Sequence, residues 1–331
     1  MVTARAWCRV DFGGGTLDIW PLGLFHPGAR TVNVAIDLAA TVRLRRADGV
    51  YRVLQGESRV EAGSPSALAA LPDGALVGVV AEAMSLPPVE VTLASDSPRG
   101  GGLGASSAMV VALIAAAQAE MGPELRWPAS SPAERAHLAR DLEARMMSLP
   151  TGVQDHYPAL LGGALEIVQQ PGGEAVRRLQ VDLDRLGDSL LVVYSGASHF
   201  SAGNNWQVVR RRLDGEAEIT GLFAGIAAAA AELPAALEAG DLAWVGALMS
   251  REWSFRRRLA DGISTPALEA LVAAALAAGA WGGKACGAGG GGSLVFLCPP
   301  DRRADVAAAL ERAGGRVLPA RPAGGPLTVD T

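Results

Sequence analysis

A glycine-rich loop that runs straight into an apolar helix constrains this chain more than any other feature. Residues 98–108 read PRGGGLGASSA, and the segment Ala105–Gln118 is almost entirely apolar, which predicts a helix buried on most of its sides. Glycines let a backbone approach a phosphate group closely, and the free N–H groups at a helix N-terminus attract anions. The pattern therefore favours a phosphate-binding loop, but a flexible turn with a serine cap would contain the same residues.

The loop differs from the two most familiar nucleotide-binding motifs. It lacks the Gly-Lys-Ser/Thr ending of a Walker A loop. It also lacks the acidic residue that a Rossmann dinucleotide-binding motif has beyond a following strand. Neither motif explains these glycines.

The rest of the sequence alternates between strand-like and helix-like segments, which predicts an α/β protein. A length of 331 residues and a hydrophobic content of 50% suit two lobes with sizeable cores, and we place their boundary near Gly187. The predicted strands are Ala6–Phe12, Val32–Leu44, Val89–Ala94, Leu190–Tyr194 and Ser293–Leu297, the predicted helices are Ala105–Gln118 and Pro132–Met147, helical patterns dominate residues 204–280, and a helix and a strand follow within residues 301–318.

Charge and cysteine content limit the partners of the protein. The formal net charge of -5 argues against nucleic acid as the main partner but is compatible with a phosphorylated small molecule. The N-terminus has no apolar signal-peptide core, and we expect no apolar run long enough to cross a membrane. The three cysteines, Cys8, Cys286 and Cys298, have no metal-binding spacing, which suggests reduced thiols in a cytoplasmic protein. We expect the protein to be a monomer or a homodimer.

Two further motifs flank the central loop. Arg5–Asp18 reads RAWCRVDFGGGTLD, and Gly279–Gly292 reads GAWGGKACGAGGGG. Together with Gly102–Ala108, these motifs resemble in kind and in order those of the GHMP kinases, a family that includes galactokinase, homoserine kinase and mevalonate kinase. They are most similar to the branch that contains heptose 7-phosphate kinase. One departure is the insertion of Leu17 between Thr16 and Asp18, where that branch has Thr-Asp directly.

The resemblance implies a fold, an activity and cofactors. The implied fold is α+β, with an N-terminal lobe similar to ribosomal protein S5 over residues 1–187. A C-terminal ferredoxin-like lobe with extra helices follows over residues 188–331. The implied activity is transfer of the γ-phosphate of ATP to a hydroxyl of a small molecule, with Mg²⁺ as the metal. The implied partner is a sugar or a sugar phosphate.

Phosphoryl transfer to an alcohol needs a carboxylate for the acceptor hydroxyl, a metal for the phosphates and a cation for the developing charge. The resemblance assigns the base to Asp155 and Mg²⁺ to Glu143 and Ser106. It assigns the cation to Arg9, which would stabilise the Asp155 carboxylate and cannot itself act as a base. Each residue also has a structural alternative: a solvated carboxylate for Glu143, a helix cap for Asp155 and a surface salt bridge for Arg9.

The resemblance also distributes the binding residues between the two substrates. Those expected to bind ATP are Pro98, Gly100, Gly101, Gly102, Leu103, Gly104, Ala105, Ser106 and Ser107. Those expected to bind the acceptor are Gly14, Gly15, Thr16, Asp18, Gln154, His199, Gly287, Ala288 and Gly289. The C-terminal glycines alone could instead form a tight backbone crossing beside a strand.

Two signals bear on the acceptor and disagree. Gly152–Tyr157 reads GVQDHY, which resembles kinases that phosphorylate the anomeric carbon of a sugar. His199 stands where the heptose-kinase branch has an arginine, so a distal phosphate would lose a permanent cation. A mevalonate-type alcohol kinase and a non-catalytic sugar and ATP sensor remain alternatives. The run Arg256–Arg258 predicts a solvated helix face.

Overall fold

The computed structural model describes residues 1–122, 125, 131–197, 202–287 and 289–331. These residues form two β-sheets with helices packed against them. The strands are β1 (Val2–Gly13), β2 (Arg30–Arg46), β3 (Tyr51–Gln55), β4 (Ser58–Ala62), β5 (Val89–Ser95), β6 (Ala164–Gln170), β7 (Gly173–Arg178), β8 (Leu190–Tyr194), β9 (Gly282–Ala285), β10 (Ser293–Leu297), β11 (Arg316–Leu318) and β12 (Thr328–Asp330).

The first sheet has eight strands and is built on the antiparallel pair of β1 and β2. Its order is β12-β1-β2-β5-β3-β4. In addition, β6 pairs with β2, and β7 pairs with β6. Strand β2 has 17 residues, so its first part pairs with β6 and its last part with β5. The pair of β3 and β5 is parallel, and the other recorded pairs in this sheet are antiparallel. The antiparallel pair of β1 and β2 carries Arg9, and the first glycine motif continues past the end of β1.

Helices pack against both sheets. Helix α5 begins with Ser131 and Glu134 in a reciprocal capping box and Pro132 in the first turn. The helices are α1 (Leu22–Phe25), α2 (Pro65–Ala69), α3 (Ala75–Met84), α4 (Ala105–Met121), α5 (Pro132–Met147), α6 (His156–Leu161), α7 (Leu183–Ser189), α8 (Ala202–Leu213), α9 (Ala217–Glu238), α10 (Leu242–Arg256), α11 (Pro266–Ala277) and α12 (Arg303–Arg312).

The second sheet is antiparallel and has the order β11-β8-β10-β9. Its central strands, β8 and β10, are continuous apolar runs because both of their faces are covered. On one face, a core shared with β1 and β2 includes Val10, Val192 and Val295. On the other face, Phe296 packs among residues of α9 and α12, such as Phe223. The shared core holds the two sheets against each other.

The architecture confirms the predicted α+β class and the predicted strands and helices. Helix α4 is buried on nearly all sides within the core that lies under the first sheet, as its apolar sequence indicates. The predicted lobe boundary between residues 187 and 188 falls inside α7, and β12 returns to pair with β1 in the first sheet. The two-lobe division stays a prediction.

Helix α9 corrects one expectation. It has 22 residues and is long and apolar enough to span a membrane by length and composition, so the prediction that no run reaches this length is wrong. Half of its most apolar window is buried inside the protein. Ile219, Phe223 and Leu233 are among its fully buried side chains, which is the pattern of a helix in a protein core.

Candidate active site

A cleft of about 560 Å³ lies between the central glycine loop and the C-terminal glycine segment. Most of the residues that the sequence assigns to the site line this cleft. They are Arg9, Thr16, Asp18, Pro98, Gly100, Gly101, Gly102, Leu103, Gly104, Ala105, Ser106, Ser107, Glu143, Gln154, Asp155, Gly287 and Gly289. One surface therefore brings together residues from all three motifs.

The central glycine loop is anchored by backbone hydrogen bonds from both sheets. Arg9 on β1 donates its backbone N–H to the carbonyl of Leu103 at 2.9 Å and its Nη1 to the carbonyl of Gly102 at 2.7 Å. Ser293 on β10 donates its backbone N–H to the carbonyl of Gly101 at 2.8 Å. Three consecutive carbonyls are thus turned toward the protein, so the loop has a fixed conformation rather than that of a free turn.

The C-terminal glycines make the tight backbone crossing that their sequence allows. A Cβ atom on Gly102 would lie 2.8 Å from the carbonyl oxygen of Cys286, and Gly102 has a positive φ of 70°. A Cβ atom on Gly292 would lie 3.0 Å from the carbonyl oxygen of Gly101. The two glycine segments therefore touch backbone to backbone. The crossing does not exclude ligand contact, because Gly287 and Gly289 also line the cleft.

Helix α4 begins at the loop without a side-chain cap. Gly104 occupies the N-cap position with a φ of 72°, and the structure records no side-chain hydrogen bond capping the first turn of this helix. The alternative of a serine-capped turn is therefore wrong. Ala105 and Ser106 line the cleft, so the helix N-terminus faces it. This arrangement suits a phosphate group.

Arg9 and Asp155 form a buried ion pair at the end of the loop. The Arg9 Nε and Nη2 atoms lie 2.7 and 2.6 Å from the same carboxylate oxygen, Oδ1, of Asp155. Arg9 is 2% exposed, whereas the Asp155 side chain is 24% exposed and reaches the cleft. Burial opposes the charge on Arg9, but Asp155 and Asp11 raise its pKa above the ordinary value for arginine.

This geometry rules out the structural alternatives for the pair. Asp155 precedes α6, but its side chain makes no capping hydrogen bond. Arg9 is too buried to form a surface salt bridge. A Cβ atom on Gly104 would lie 3.2 Å from Asp155 Cγ, so the loop packs directly against the carboxylate. The Oδ2 atom of Asp155, which has no recorded contact with Arg9, lies beside the glycine loop, 3.4 Å from where a Cβ atom on Gly104 would be.

Glu143 is buried behind the start of α4, which excludes a solvated carboxylate. Its Oε2 atom accepts a hydrogen bond from Ser107 Oγ at 2.7 Å and lies 3.1 Å from His156 Nε2. Burial alone would raise the pKa of Glu143, but His156 and the hydroxyls of Ser107 and Ser106 hold it below its ordinary value. The carboxylate is therefore charged at neutral pH, and its Oε2 atom contacts both Ser107 and His156.

The donors around Glu143 fit Mg²⁺. The cleft presents the carboxylate of Glu143 and the exposed hydroxyl of Ser106, and both are the hard oxygen ligands that Mg²⁺ prefers. The described residues contain no group of three His, Cys, Asp or Glu side chains that could enclose a metal. Mg²⁺ at nucleotide sites commonly uses one or two protein oxygens and takes the rest from phosphates and water, so two donors are sufficient.

Asp18 presents an unsatisfied carboxylate oxygen at the other end of the cleft. Its Oδ2 accepts the backbone N–H of Gln154 at 2.9 Å, and its Oδ1 has no hydrogen-bond partner among the described residues. The side-chain Oε1 of Gln154 is likewise without a partner in the described part of the chain. Burial raises the pKa of Asp18 to about 6, against the effect of the Gln154 hydrogen bond.

Replacing Asp18 by asparagine should stabilise the protein at neutral pH and not in acid. The folded state keeps a proton up to a pH of about 6, whereas the unfolded chain releases it near 3.8, so stability falls as the pH rises through this range. At about 1.4 kcal/mol per pKa unit, the free energy of unfolding of the wild type falls by about 3 kcal/mol over this range, and that of Asp18→Asn does not. In urea unfolding between pH 4 and 8, the unfolding free energies of wild type and Asp18→Asn should differ more and more as the pH rises from 4. A constant difference between them would contradict the raised pKa.

A cluster of buried charges lies beneath the first glycine motif. Lys284 Nζ lies 2.6 Å from Asp11 Oδ2 and 3.4 Å from Glu252 Oε2, and Arg256 Nη2 lies 2.5 Å from Glu252 Oε1. All four side chains are at most 2% exposed. The prediction of a solvated Arg256–Arg258 face is wrong for Arg256, because its helix turns that side chain inward while the next two arginines remain exposed.

Sequence reasoning missed this charge cluster and the apolar wall of the cleft. A usable signal for the cluster was that Lys284 is the only lysine in the sequence and lies within the third glycine motif. The apolar wall has no such signal, because it comes from several separate elements. Its side chains are Leu76, Leu93, Met109, Met146, Met147 and Leu149.

Two of the predicted acceptor-binding residues, Gly14 and Gly15, are not among the residues that line the cleft. Gly14 and Gly15 are buried behind it, and a Cβ atom on Gly15 would lie 2.8 Å from Asp11 Oδ2. His199 and Ala288 lie outside the described residues. Of the residues of the first motif that are predicted to bind the acceptor, Thr16 and Asp18 line the cleft.

Comparison with known proteins gives matches over both halves of the chain. The model of the GHMP kinase N-terminal domain matches residues 73–163, and that of the GHMP kinase C-terminal domain matches residues 233–316. A galactokinase of Mycobacterium tuberculosis is 28% identical over 305 residues, covering 83% of this chain and 81% of that protein. A mevalonate kinase of Thermococcus sibiricus is 30% identical over 245 residues, covering 72% of this chain and 68% of that protein.

A solved structure shows the same fold over the whole chain. The crystal structure of a D-glycero-D-manno-heptose 1-phosphate kinase from Bacteroides thetaiotaomicron superimposes with a TM-score of 0.77 at 22% identity, covering 100% of this chain and 99% of that one. The matched domains account for more than half of the residues and contain the central loop, Glu143, Asp155 and the C-terminal glycines. With its three glycine motifs meeting at one cleft, this chain belongs to the GHMP kinase family.

Proposed function

We propose that this GHMP kinase transfers the γ-phosphate of ATP to the anomeric hydroxyl of a sugar, with Mg²⁺ held by Glu143 and Ser106. The observation that carries the proposal is the Arg9–Asp155 pair, which joins the two ends of the cleft. The pair contacts the glycine loop through Gly102 and Gly104, and Asp155 directly follows Gln154, which is hydrogen-bonded to Asp18.

The nucleotide end of the cleft supplies binding groups for ATP. Backbone N–H groups of the loop and of the α4 N-terminus would hold the phosphates, and apolar side chains such as Leu76 and Met109 would cover the base. Mg²⁺, when bound, would neutralise charge on the phosphates. Glu143 is kept ionised for this role by Ser107 and His156.

Asp155 would act as the base for the acceptor hydroxyl. Arg9 fixes one carboxylate oxygen of Asp155, which leaves Oδ2 to accept a hydrogen bond from the sugar hydroxyl. As the oxygen–phosphorus bond forms and the bond to ADP breaks, the hydroxyl proton passes to Oδ2. Arg9 keeps its charge throughout and stabilises the negative charge that develops beside it.

The charges around the acceptor favour a neutral, hydroxyl-rich molecule. Asp18 and Gln154 line the cleft, and their buried oxygens Oδ1 and Oε1, which have no hydrogen-bond partner among the described residues, would accept hydrogen bonds from sugar hydroxyls that reach them. Arg9 is engaged by Asp155 and Gly102, and the nearby Arg256 is engaged by Glu252 and the first motif. A carboxylate or a distal phosphate on the acceptor would meet no unpaired cation in Arg9 or Arg256. The other described arginine that lines the cleft, Arg99, is exposed and lies at the start of the glycine loop. The anomeric position rests on the resemblance of residues 152–157 to sugar 1-kinases.

A mevalonate-type alcohol kinase is the second candidate, because a mevalonate kinase is 30% identical to this chain. Mevalonate carries a carboxylate, which disfavours it at an end of the cleft that already holds Asp18. A non-catalytic sensor is disfavoured by the intact pair of Arg9 and Asp155 and by the buried, ionised Glu143.

An acceptor screen tests the proposal. ADP release should be measured with neutral aldoses, uronic acids, sugar phosphates and mevalonate, and the product of the best acceptor should be examined by ³¹P and ¹H NMR. We expect a neutral sugar to give the highest kcat/KM and to carry the new phosphate on C1. Phosphate on a primary hydroxyl would contradict the anomeric assignment, and a strict requirement for a sugar 7-phosphate would contradict the neutral acceptor. Mevalonate as the best acceptor would support the second candidate.

A further inference from the structure

The four side chains Asp11, Glu252, Arg256 and Lys284, here called the buried charge cluster, connect the two sheets below the acceptor end of the cleft. Asp11 lies on β1, Lys284 on β9, and the other two on α10. Two cations face two carboxylates, so the cluster is neutral in itself. Lys284 and Arg256 hold the pKa of Asp11 below its ordinary value despite its burial.

Arg256 extends from this cluster to the first glycine motif. Its Nη1 donates to Thr16 Oγ1 at 2.9 Å and its Nη2 to the carbonyl of Gly15 at 2.7 Å, while Nε binds Glu252 Oε1 at 2.9 Å. The same Glu252 oxygen accepts the backbone N–H of Gly14 at 3.3 Å. The pair on α10 therefore holds three consecutive residues of the motif.

The segment that Arg256 holds is strained. Thr16 has a φ of 73°, a left-handed conformation that is a genuine outlier for a β-branched residue. Such a residue keeps its conformation only when its surroundings impose it. The two hydrogen bonds from Arg256 act on Thr16 and on the residue before it, so they stabilise this conformation directly.

We propose that Arg256, together with Glu252, is a positioning residue that fixes the acceptor loop Gly14–Asp18 so that Thr16 and Asp18 face the sugar. This inference rests on the proposed function in so far as Thr16 and Asp18 contact the acceptor. The planar guanidinium binds Glu252, Gly15 and Thr16 at once, whereas a lysine ammonium is a single point charge on a flexible stem. Arginine is therefore required here for its shape as well as for its charge.

Removing Arg256 should weaken the binding of the acceptor and leave nucleotide binding unchanged. In Arg256→Met we expect the sugar KM to rise about tenfold or more, because a displaced loop misplaces two acceptor contacts, with the ATP KM within about twofold of wild type. Arg256→Lys should restore little of the sugar affinity. The matched control is Arg257→Met, which removes the arginine directly after α10, an exposed residue paired with Glu269.

Loss of Arg256 leaves Glu252 partly uncompensated, which could destabilise the fold. The double variant Arg256→Met with Glu252→Gln removes both charges and leaves the Lys284–Asp11 pair intact. It should recover stability while keeping the raised sugar KM. A double variant with normal stability and a sugar KM within about twofold of wild type would overturn the proposal, because charge balance would then be the whole role of Arg256.

Hydrogen exchange provides a test that does not depend on the acceptor. Peptides covering residues 13–20 should exchange about tenfold faster in the double variant than in wild type, while peptides covering residues 98–105 should not change. Unchanged exchange over residues 13–20 would overturn the positioning role even if no sugar proved to be a substrate. If instead the proposed function is wrong, the acceptor screen will give no sugar product, while the double variant will still exchange faster than wild type over residues 13–20.

Discussion

Asp155→Asn should lower kcat by about a hundredfold or more, the effect of losing a general base. Asparagine keeps an oxygen for the hydrogen bonds from Arg9 Nε and Nη2, so the loop and the ion-pair site should retain their positions. ATP affinity should stay within about twofold of wild type, because Asp155 acts on the acceptor hydroxyl and not on the phosphates. Steady-state ADP release gives kcat, and calorimetry with a non-hydrolysable ATP analogue gives the affinity.

A matched carboxylate controls for the change in net charge. Asp141 lies on α5, its side chain is 66% exposed, and it pairs with Arg140 on the surface. Asp141→Asn should therefore have wild-type kinetics. Turnover by Asp155→Asn close to the wild-type rate would show that Asp155 is not the base.

The sequence predicts the parts of this site that depend on local patterns. The central loop needs glycines at Gly100, Gly102 and Gly104, where the backbone has positive φ, and an apolar helix directly after them. Both features can be read within twenty residues. The same holds for the capping box that starts α5 and for the apolar strands of the second sheet.

The parts that the sequence hides depend on pairs of residues far apart in the chain. Lys284 and Asp11 are 273 positions apart, and Arg256 and Gly15 are 241 apart. Within the run of three arginines, periodicity alone does not tell which one turns inward. The spacing of Glu252 and Arg256 by four residues is a local signal, but the same spacing is common on solvated helix faces.

Thr16 illustrates the same limit at a single residue. Its sequence position suggests an ordinary turn, and nothing nearby indicates a left-handed threonine. The strain becomes understandable only when α10 is placed beneath it and Arg256 supplies the hydrogen bonds. Strained residues that distant groups support are typical of functional sites, and a local rule broken in this way is informative.

Glu143→Gln should raise the Mg²⁺ concentration for half-maximal rate by about tenfold or more, as expected for loss of a charged metal ligand. The variant keeps an oxygen that can accept the hydrogen bond from Ser107, so the start of α4 should remain in place. The carboxylate is ionised at neutral pH because His156 and the serine hydroxyls lower its pKa. Its replacement therefore removes a full negative charge from the metal site.

The two serines separate direct ligation from support of Glu143. Ser106 is exposed in the cleft, whereas Ser107 is buried and donates to Glu143. We expect Ser106→Ala to raise the Mg²⁺ requirement more than Ser107→Ala does, because Ser106 would supply a metal ligand in addition to its hydrogen bond to Glu143, whereas Ser107 would act only through Glu143. Initial rates measured over a Mg²⁺ series at fixed ATP give this comparison, and Mn²⁺ binding followed by electron paramagnetic resonance gives it without turnover. An unchanged Mg²⁺ requirement in both Glu143→Gln and Ser106→Ala would place the metal elsewhere in the cleft.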